Sequence, residues 1–437
     1  MANTIKSLDT ADVNHPAFPA GAIAHKRHPA RVIIPLSIGN ALEWFDIVIY
    51  GYLAVTISRV FFPAENELNG LLIVLGTFGA SFAMRPIGSI VLGRYADVAG
   101  RKKALNLSIT LMMLGTLAIV VAPTYAQAGV TGSIMVVTAK LIQGFSAGGE
   151  YGSATALLAE QDDRRRGFYA SWQVASQGIT VLLAALFGDL LNALFVPAQI
   201  DSWAWRIPFV FGLSIGPIAL YIRRNLAESE AFAETDDEAS LDLRSIGSQS
   251  RRIVTSLGIM VIATTMAYTM LFMPTYAVKQ LGMSASVGFI PTIVMGVIQA
   301  TVSPFFGGLS DRYGRMRVMV PAIVVILIII VPAFMLLVRY PTALTLILIQ
   351  TFIAIVCAAY AGPLPAAMAD LFPVKQRGLG LSMSYSLGVA IFGGFAPFFS
   401  QWLIVNTGMA IAPAFPLFFA ALVSTIALRF ARRYELR

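Results

Sequence analysis

The sequence predicts an all-α membrane protein in which twelve transmembrane helices form two six-helix halves. Two observations predict this fold: apolar stretches long enough to cross a bilayer recur along the chain, and two motifs occur twice in the same order. Of the 437 residues, 57% are hydrophobic and 12% are charged, whereas a soluble globular protein carries about 25% charged residues. So few polar residues cannot cover the surface of such a chain in water. The composition therefore excludes a soluble enzyme, a nucleic-acid-binding module and a disordered chain.

The apolar stretches are each near or above the length of about 20 residues that a helix needs to cross a bilayer. Helices are the expected conformation, because backbone groups in lipid must be hydrogen-bonded within their own segment. Several stretches exceed the minimum, which predicts tilted helices or protruding helix ends. The predicted spans cover residues 32–58, 70–95, 104–123, 131–158, 167–195, 203–222, 253–278, 287–309, 318–338, 342–369, 378–405 and 410–430.

One long polar interruption, which begins with two arginines and continues with an acidic stretch, lies between the sixth and seventh predicted spans. The beginning of the chain is also polar, and it lacks the apolar core and the cleavage site of a signal peptide. These boundaries predict four parts: a cytoplasmic N-terminal tail at 1–30, an N-terminal six-helix bundle at 31–222, a cytoplasmic linker at 223–252, and a C-terminal six-helix bundle with a short cytoplasmic tail at 253–437.

The distribution of lysine and arginine predicts the orientation of the chain in the membrane. With the N-terminal tail inside, 25 of the 31 lysine and arginine residues fall on the inner side, 4 on the outer side and 2 within spans. This arrangement satisfies the positive-inside rule, and a shift by one span would invert it. The net charge of +8 therefore reflects topology, and we expect no nucleic-acid partner. The prediction is a monomeric, multi-pass protein of the bacterial inner membrane with both termini cytoplasmic.

Two motifs are repeated between the predicted halves. The segments GRYADVAGR (93–101) and GGLSDRYGR (307–315) match at four positions with an offset of 214 residues, and both follow the second span of their half. A looser pair follows the fourth span of each half: Glu160 with Arg166, and Asp370 with Arg377. Two landmarks in the same order predict halves related as parallel repeats. Transporters use this design to place a substrate site between the halves near the bilayer midplane.

The repeated loops contain the candidate gating residues Asp97, Arg101, Asp311 and Arg315, which end or begin helices at the predicted cytoplasmic surface. Salt bridges between the halves at this surface would hold an inner gate shut and would break when it opens. The alternative is that short loops need glycine turns and that arginines anchor topology. Both interpretations remain open from the residues alone.

The loop pattern G-x-x-x-D-x-x-G-R-[KR] is complete at 93–102, and its second copy has Met316 in place of the last basic residue. This pattern resembles the signature loop of the major facilitator superfamily. Other strings resemble the metabolite:proton symporter family over nearly the whole chain, and SFAMRPIG, SWQVASQ and ATTMAYTMLFMPTY are most similar to its citrate and tricarballylate symporters. The strings of the wider family are GNALEWFD (39–46), MRPIGSIVLG (84–93), LIQGFSAGGEYG (141–152), GFYASWQVASQ (167–177), WAWRIPF (203–209), RRNLAESEAF (223–232) and AIFGGFAP (390–397).

The resemblance implies a proton-coupled symporter that imports a small organic anion by alternating access, with a tricarboxylate such as citrate as the first choice. The alternatives are a dicarboxylate such as 2-oxoglutarate, a shikimate-like acid or a zwitterionic osmolyte and, more remotely, a non-transporting sensor on the same scaffold. The family commonly has arginine where this chain has Lys140. Lysine keeps the charge but loses the bidentate fork, which leaves the identity of the anion open.

The sequence also limits the possible energy source of such a transporter. It contains no G-x4-G-K-[ST] loop, so uphill transport would draw on an ion gradient or a countersubstrate. All three histidines fall within the first 28 residues, and Cys357 is the single cysteine. We therefore expect no enzymatic activity, no metal site and no cofactor. The expected partners are a small organic acid, protons and the lipid bilayer.

Carboxylates inside the predicted spans are the candidate proton carriers. Asn40, Glu43, Asp46 and Tyr50 share one face of the first span, and a polar stripe on an apolar helix is typical of a water-filled cavity. With no histidine in the spans, a coupling proton would be carried by Glu43 or Asp46, since burial disfavours the charged form of a carboxylate. Glu150 in the fourth span is a further candidate. The alternative is a structural polar network between helices.

Arg85 and Lys140 are the only cations that lie away from the ends of the predicted spans, and both are candidate substrate-binding residues. A carboxylate substrate needs positive charge at its site, and arginine suits its planar, bidentate recognition. The alternative is that each cation forms an internal ion pair with one of the carboxylates within the spans. Protonation of that carboxylate could then free the cation for substrate, so the two interpretations are compatible.

Neutral polar side chains would complete the predicted substrate site. Hydroxyl and amide groups can hydrogen-bond the carboxylates or hydroxyls of an organic acid. The candidates are Asn40, Gln173, Gln177 and Tyr268. The alternative is that such groups join neighbouring helices, as polar residues of membrane helices commonly do.

Overall fold

The computed structural model describes residues 30–99, 101–148, 150–162, 164–226, 249–373 and 377–434. These residues are predominantly helical, and no strand occurs among them. Residues 1–29 of the predicted tail and 227–248 of the predicted linker lie outside this set. We refer to residues 30–226 as the N-terminal half and to residues 249–434 as the C-terminal half.

The helices of the N-terminal half follow the predicted apolar stretches, with short helices in the connections. They are α1 (Ala30–Tyr52), α2 (Ala54–Phe61), α3 (Glu67–Ala99), α4 (Arg101–Val121), α5 (Tyr125–Ala128), α6 (Val130–Ser146), α7 (Glu150–Ala159), α8 (Arg166–Leu194), α9 (Pro197–Ser202) and α10 (Ile207–Leu226).

The C-terminal half has the same organisation, with a one-turn π-helix at Val389–Gly393 inside its eleventh predicted span. Its α-helices are α11 (Ser250–Lys279), α12 (Ala285–Tyr313), α13 (Arg315–Arg339), α14 (Ala343–Ala361), α15 (Leu364–Asp370), α16 (Arg377–Gly388), α17 (Ala396–Thr407) and α18 (Ala414–Ala431).

Several predicted spans are broken rather than continuous. Helices α1 and α2 are bent by 71° at their junction, so the first span changes direction part-way. In the tenth span α14 ends at Ala361 and α15 begins at Leu364, as expected where Pro363 lacks a backbone N–H. Counting a bent pair as one span, up to nine segments of the described residues are long and apolar enough to cross a membrane, and α4 and α6 are shorter apolar helices.

Among the described residues, most contacts between the two halves lie along two seams. In one seam α8 packs along α12, and in the other α7 faces α16 while α3 faces the π-helix and α17. Glycines let the backbones of α8 and α12 touch: a Cβ added at Gly178 would lie 2.5 Å from the Ala300 nitrogen, and one at Gly296 would lie 2.7 Å from the Leu182 nitrogen. Such close approach is typical of small residues at membrane helix interfaces.

Substitution of Gly144 by alanine should destabilise the N-terminal half. A Cβ at Gly144, on α6, would collide with the carbonyl oxygen of Ser81 on α3, and backbone cannot move aside as a side chain can. Overpacking of this kind typically costs about 1–3 kcal/mol. We expect a lower melting temperature for Gly144→Ala in detergent. Gly378→Ala is the matched control, because a Cβ at Gly378 has no neighbouring atom within 4 Å, and equal melting temperatures would contradict the prediction.

Candidate functional site

A cavity lies between the two halves, in the position expected for a transporter built from two repeats. Its empty volume is about 830 Å³, counting the part that is open to the outside. Aromatic and amide side chains from both halves line it: Trp44, Tyr52, Tyr151 and Gln177 from the N-terminal half, and Tyr268, Tyr385 and Gln299 from the C-terminal half. Among the described residues that line the cavity, none is charged.

Two tyrosines join the halves at the wall of this cavity. The rings of Tyr151 on α7 and Tyr385 on α16 are stacked, with centroids 3.3 Å apart and an angle of 4° between the planes. Both rings also line the cavity. Because each comes from a different half, separation of α7 from α16 would remove this part of the wall.

Arg85 is a buried cation next to the cavity. It is 3% exposed, and its guanidinium lies over the rings of Phe82 (4.5 Å to the centroid) and Trp44 (5.2 Å). Within the described residues it has no carboxylate partner, and its Nη2 makes no hydrogen bond. Aromatic faces stabilise a cation by only about 1–2 kcal/mol, much less than the several kcal/mol that its burial costs. Of the three carboxylates considered as its partner, only Asp46 has a described side chain, and that carboxylate bonds Thr116 and not Arg85. Trp44, one of the two rings against the guanidinium, also lines the cavity.

Lys140 and Asp46 are linked through two neutral side chains. Lys140 Nζ donates to Gln143 Oε1 (2.8 Å), and Gln143 Nε2 donates to Thr116 Oγ1 (2.9 Å). The Thr116 hydroxyl donates in turn to Asp46 Oδ2. The ammonium of Lys140 also lies 4.5 Å from the centroid of the Tyr50 ring. This chain of hydrogen bonds connects a buried cation to a buried carboxylate without direct contact between them.

The carboxylate of Asp46 lies inside the N-terminal half and is not among the groups that line the cavity. It is 5% exposed, and its second oxygen, Oδ1, makes no hydrogen bond to the described residues. That oxygen faces Gly212 on α10, where an added Cβ would collide with it. Asp46 is thus enclosed by α1, α4 and α10, with one oxygen available to accept a proton.

The predicted polar candidates fall into two groups. The amides of Asn40 and Gln173 bond each other, with Gln173 Nε2 donating to Asn40 Oδ1 (3.0 Å) and Asn40 Nδ2 donating to Ser176 Oγ (2.7 Å). This network joins α1 to α8 away from the cavity lining. Gln177, one turn later on α8, and Tyr268 on α11 both line the cavity. The structure therefore brings only the second group to the cavity.

At one end of the bundle Asp311 connects the two halves. It pairs with Arg315 at 2.5 Å, and it accepts hydrogen bonds from the backbone N–H groups of Gly167 (2.7 Å) and Phe168 (2.9 Å). These N–H groups belong to the first turn of α8, where backbone donors lack partners within the helix and where the helix dipole favours negative charge. Asp311 of the C-terminal half thus caps a helix of the N-terminal half.

The looser sequence repeat forms ion pairs between the halves at the same end. Arg377 pairs with Glu160 at 2.6 Å, and Arg166 pairs with Asp370 at 3.4 Å. Each acid therefore pairs with the arginine of the other copy of the motif. At the opposite end of the bundle Lys279 pairs with Glu67, which also joins the halves.

Loss of the Arg377–Glu160 pair should open the end of the bundle that carries Asp311. We expect Arg377→Gln to increase labelling of Cys357, the single cysteine and a cavity residue, by a membrane-impermeant maleimide added on that side. The increase should be about threefold to tenfold, as loss of about 1 kcal/mol from one ion pair would produce.

Lys279→Gln is the matched control for this experiment, because it removes an ion pair between the halves at the other end. It should increase the labelling of Cys357 from the opposite side only. Unchanged labelling of Arg377→Gln from both sides would contradict a latching role for its ion pair.

Some site residues were missed by the sequence analysis, and others lie outside the described set. Gln299 is an amide within an apolar span, as Gln177 is, and could have been chosen on that ground. Thr116 and Gln143 acquire their roles only through their contacts. The side chains of Glu43, Asp97, Arg101 and Glu150 are outside the described residues, so their predicted roles stay predictions.

Comparisons with known proteins agree with this architecture. The chain matches the family model of the Major Facilitator Superfamily over residues 36–301 and 255–436. It is 36% identical to a citrate-proton symporter of Klebsiella pneumoniae over 430 residues, covering 97% of this chain and 95% of the relative. It is 31% identical to a proline/betaine transporter of Escherichia coli K12, with 91% and 82% covered. A crystal structure of a D-xylose-proton symporter superposes with a TM-score of 0.70 at 15% identity, covering 92% of this chain and 97% of the other.

Proposed function

The chain belongs to the major facilitator superfamily, and we propose that it is a proton-coupled symporter that imports a tricarboxylate such as citrate by alternating access. As a member of this family it is a multi-pass membrane transporter, not an enzyme. An anionic substrate is supported mainly by the environment of Arg85. Its guanidinium is buried beside the cavity and has no carboxylate partner among the described residues. A substrate carboxylate would supply that partner in bidentate geometry.

In the proposed cycle, substrate binds in the cavity while the halves remain latched at the Asp311 end. Citrate carries up to three negative charges, whereas the described residues that line the cavity carry no positive charge. Arg85 would therefore bind one carboxylate of citrate after Trp44 moves aside. Release follows when the ion pairs of Arg377 and Arg166 with the opposite half break. The driving force comes from protons moving with the substrate.

Proton coupling is assigned to the hydrogen-bond chain from Asp46 to Lys140, with Glu43 and Glu150 as further candidate carriers. Protonation of Asp46 would remove the negative end of this chain and so weaken the hold on Lys140 through Thr116 and Gln143. Such a change alters the charge inside the N-terminal half. This supports a role in selecting between conformations rather than direct contact with substrate.

The orientation in the membrane is part of the same proposal. We assign the Asp311 end to the cytoplasm of a bacterial cell, with both termini cytoplasmic, from the distribution of lysine and arginine. In this orientation the ion pairs of the repeated motifs form an inner gate, and Asp97 and Arg101 are its predicted counterparts in the N-terminal half. The transporter is proposed to act as a monomer of two six-helix bundles.

A second candidate substrate class is favoured by the aromatic lining of the cavity. The rings of Trp44, Tyr52, Tyr151, Tyr268 and Tyr385 could surround a quaternary ammonium group through cation–π contacts. A zwitterionic osmolyte would then place its one carboxylate on Arg85. The similarity to a proline/betaine transporter supports keeping this alternative.

Uptake into proteoliposomes tests the proposed function directly. Labelled citrate, 2-oxoglutarate, shikimate and glycine betaine are supplied under an inward proton gradient, with and without a proton ionophore. We expect ionophore-sensitive accumulation of citrate and competition by unlabelled tricarboxylates. Accumulation of betaine but not citrate would favour the osmolyte alternative, and binding without flux of any solute would favour a sensor.

A further inference from the structure

We propose that Gln177 and Gln299 form an amide clamp that binds the hydroxyl group of the transported acid and so selects hydroxy acids over acids that lack this group. The inference rests on the proposed function and deepens it, because it names a subsite and a substrate feature. The clamp is made from both halves, since Gln177 lies on α8 and Gln299 on α12.

The first support is that both amides are in the cavity without partners. Gln177 and Gln299 line the cavity and are half-buried, and neither side chain forms a hydrogen bond to another described residue. Each carboxamide offers two donors and an acceptor. Both amides are therefore available to hydrogen-bond a polar ligand in the cavity.

Gln173, another glutamine on α8, supports the assignment of Gln177 to a ligand site by contrast. Gln173 lies one turn before Gln177, and its side chain bonds Asn40, whose amide bonds Ser176 in turn. The amide of Gln173 is therefore bonded within the N-terminal half. Gln177 departs from that pattern because it faces the cavity instead of α1.

Backbone packing fixes the two amides relative to each other. At Gly178, the residue after Gln177, an added Cβ would lie 2.9 Å from the Cβ of Gln299. The glycine therefore brings α8 and α12 into contact at the level of both side chains. A group held by both amides would bridge the halves, so its binding would depend on how closely the halves approach here.

The chemistry of the clamp indicates a neutral partner. An amide pair can both donate to and accept from a hydroxyl, whereas a carboxylate can only accept and is better held by a cation such as Arg85. A site that hydrogen-bonds a hydroxyl rejects an analogue without it, because its own buried polar groups are then left unpaired. The substrate class is therefore a hydroxy acid.

The test compares uptake of citrate with uptake of tricarballylate, which has the same three carboxylates but no hydroxyl. In the wild type, KM should be at least about tenfold lower for citrate. Gln177→Leu and Gln299→Leu should each raise KM for citrate and leave KM for tricarballylate nearly unchanged, so that the preference falls below about threefold. Gln177→Asn and Gln299→Asn serve as second variants if a leucine variant fails to fold.

Gln350→Leu is the matched control, because Gln350 is a fully buried glutamine on α14 that does not line the cavity. It should keep the wild-type preference. Equal KM values for the two acids in the wild type, or an equal rise in both KM values in the variants, would overturn the clamp while leaving symport intact. If the wild type takes up neither acid, the choice of a tricarboxylate fails. Uptake of malate, which has a hydroxyl, is then compared with uptake of succinate, which lacks it. Equal KM values for malate and succinate would overturn the clamp.

Discussion

Replacement of Arg85 by glutamine should abolish saturable citrate uptake, with kcat/KM falling by at least about 100-fold. Removal of one partner from a buried, hydrogen-bonded ion pair typically costs about 3–5 kcal/mol, and each 1.4 kcal/mol corresponds to a factor of ten in affinity. In the substrate complex that partner would be the guanidinium of Arg85 next to the cavity, since the described cavity lining itself is uncharged. Initial rates of labelled citrate uptake in proteoliposomes measure the effect.

The same substitution should not reduce the stability of the empty protein. Arg85 makes no ion pair to a described residue, and its partners among these residues are the rings of Trp44 and Phe82. We therefore expect the melting temperature of Arg85→Gln to equal or exceed that of the wild type. A structural role for Arg85 would lower melting temperature and uptake together.

Arg85→Lys is the matched variant for geometry. It keeps the positive charge but has no planar fork for bidentate binding of a carboxylate. Uptake should be intermediate between the wild type and Arg85→Gln, mainly through a higher KM. If Arg85→Gln keeps the KM of the wild type for citrate, the carboxylate of the substrate does not bind at this residue.

Replacement of Asp46 by asparagine should uncouple transport from the proton gradient. Asparagine preserves the shape and can still accept the hydrogen bond of Thr116, but it cannot exchange a proton. Accumulation of citrate against its gradient should fall by about tenfold for each coupled proton lost at a gradient of one pH unit, since a factor of ten in concentration corresponds to about 1.4 kcal/mol. Exchange of labelled for unlabelled citrate, which needs no net proton movement, should persist.

Thr116→Val tests whether the hydrogen-bond chain to Lys140 contributes to coupling. It removes the hydroxyl that links Asp46 to Gln143 and leaves the carboxyl group in place. We expect partial loss of accumulation with retained sensitivity to the ionophore. Full ionophore-sensitive accumulation by Asp46→Asn would show that Asp46 is not the carrier, and Glu43→Gln and Glu150→Gln would then be compared in the same assay.

The fold could be predicted to a large extent because a bilayer allows few conformations. Apolar length alone located the helices, and the repeated motifs indicated two related halves. The breaks in the spans were only partly accessible: Pro363 gives a local reason for the end of α14, whereas the bend after Tyr52 and the π-helix at Val389–Gly393 have no comparable signal. Their positions depend on packing between helices.

The candidate site was less predictable, because the type of a residue does not show which other side chains it contacts. Asn40 and Gln177 both read as polar groups in apolar spans, yet Asn40 is saturated by α8 and Gln177 lines the cavity. Similarly, Arg85 and Lys140 both allowed an internal ion pair. Only Lys140 is connected to a carboxylate among the described residues, and that connection runs through two neutral side chains.

The amino-acid sequence by itself determined that the chain is a helical membrane protein with duplicated motifs, since hydrophobic length and spacing are local properties of the chain. The tertiary structure decided which side chains meet: Glu160 with Arg377, Asp370 with Arg166, and Asp311 with the first turn of α8. These contacts join residues more than 140 positions apart. They follow from the packing of one half against the other, which no local pattern of residues specifies.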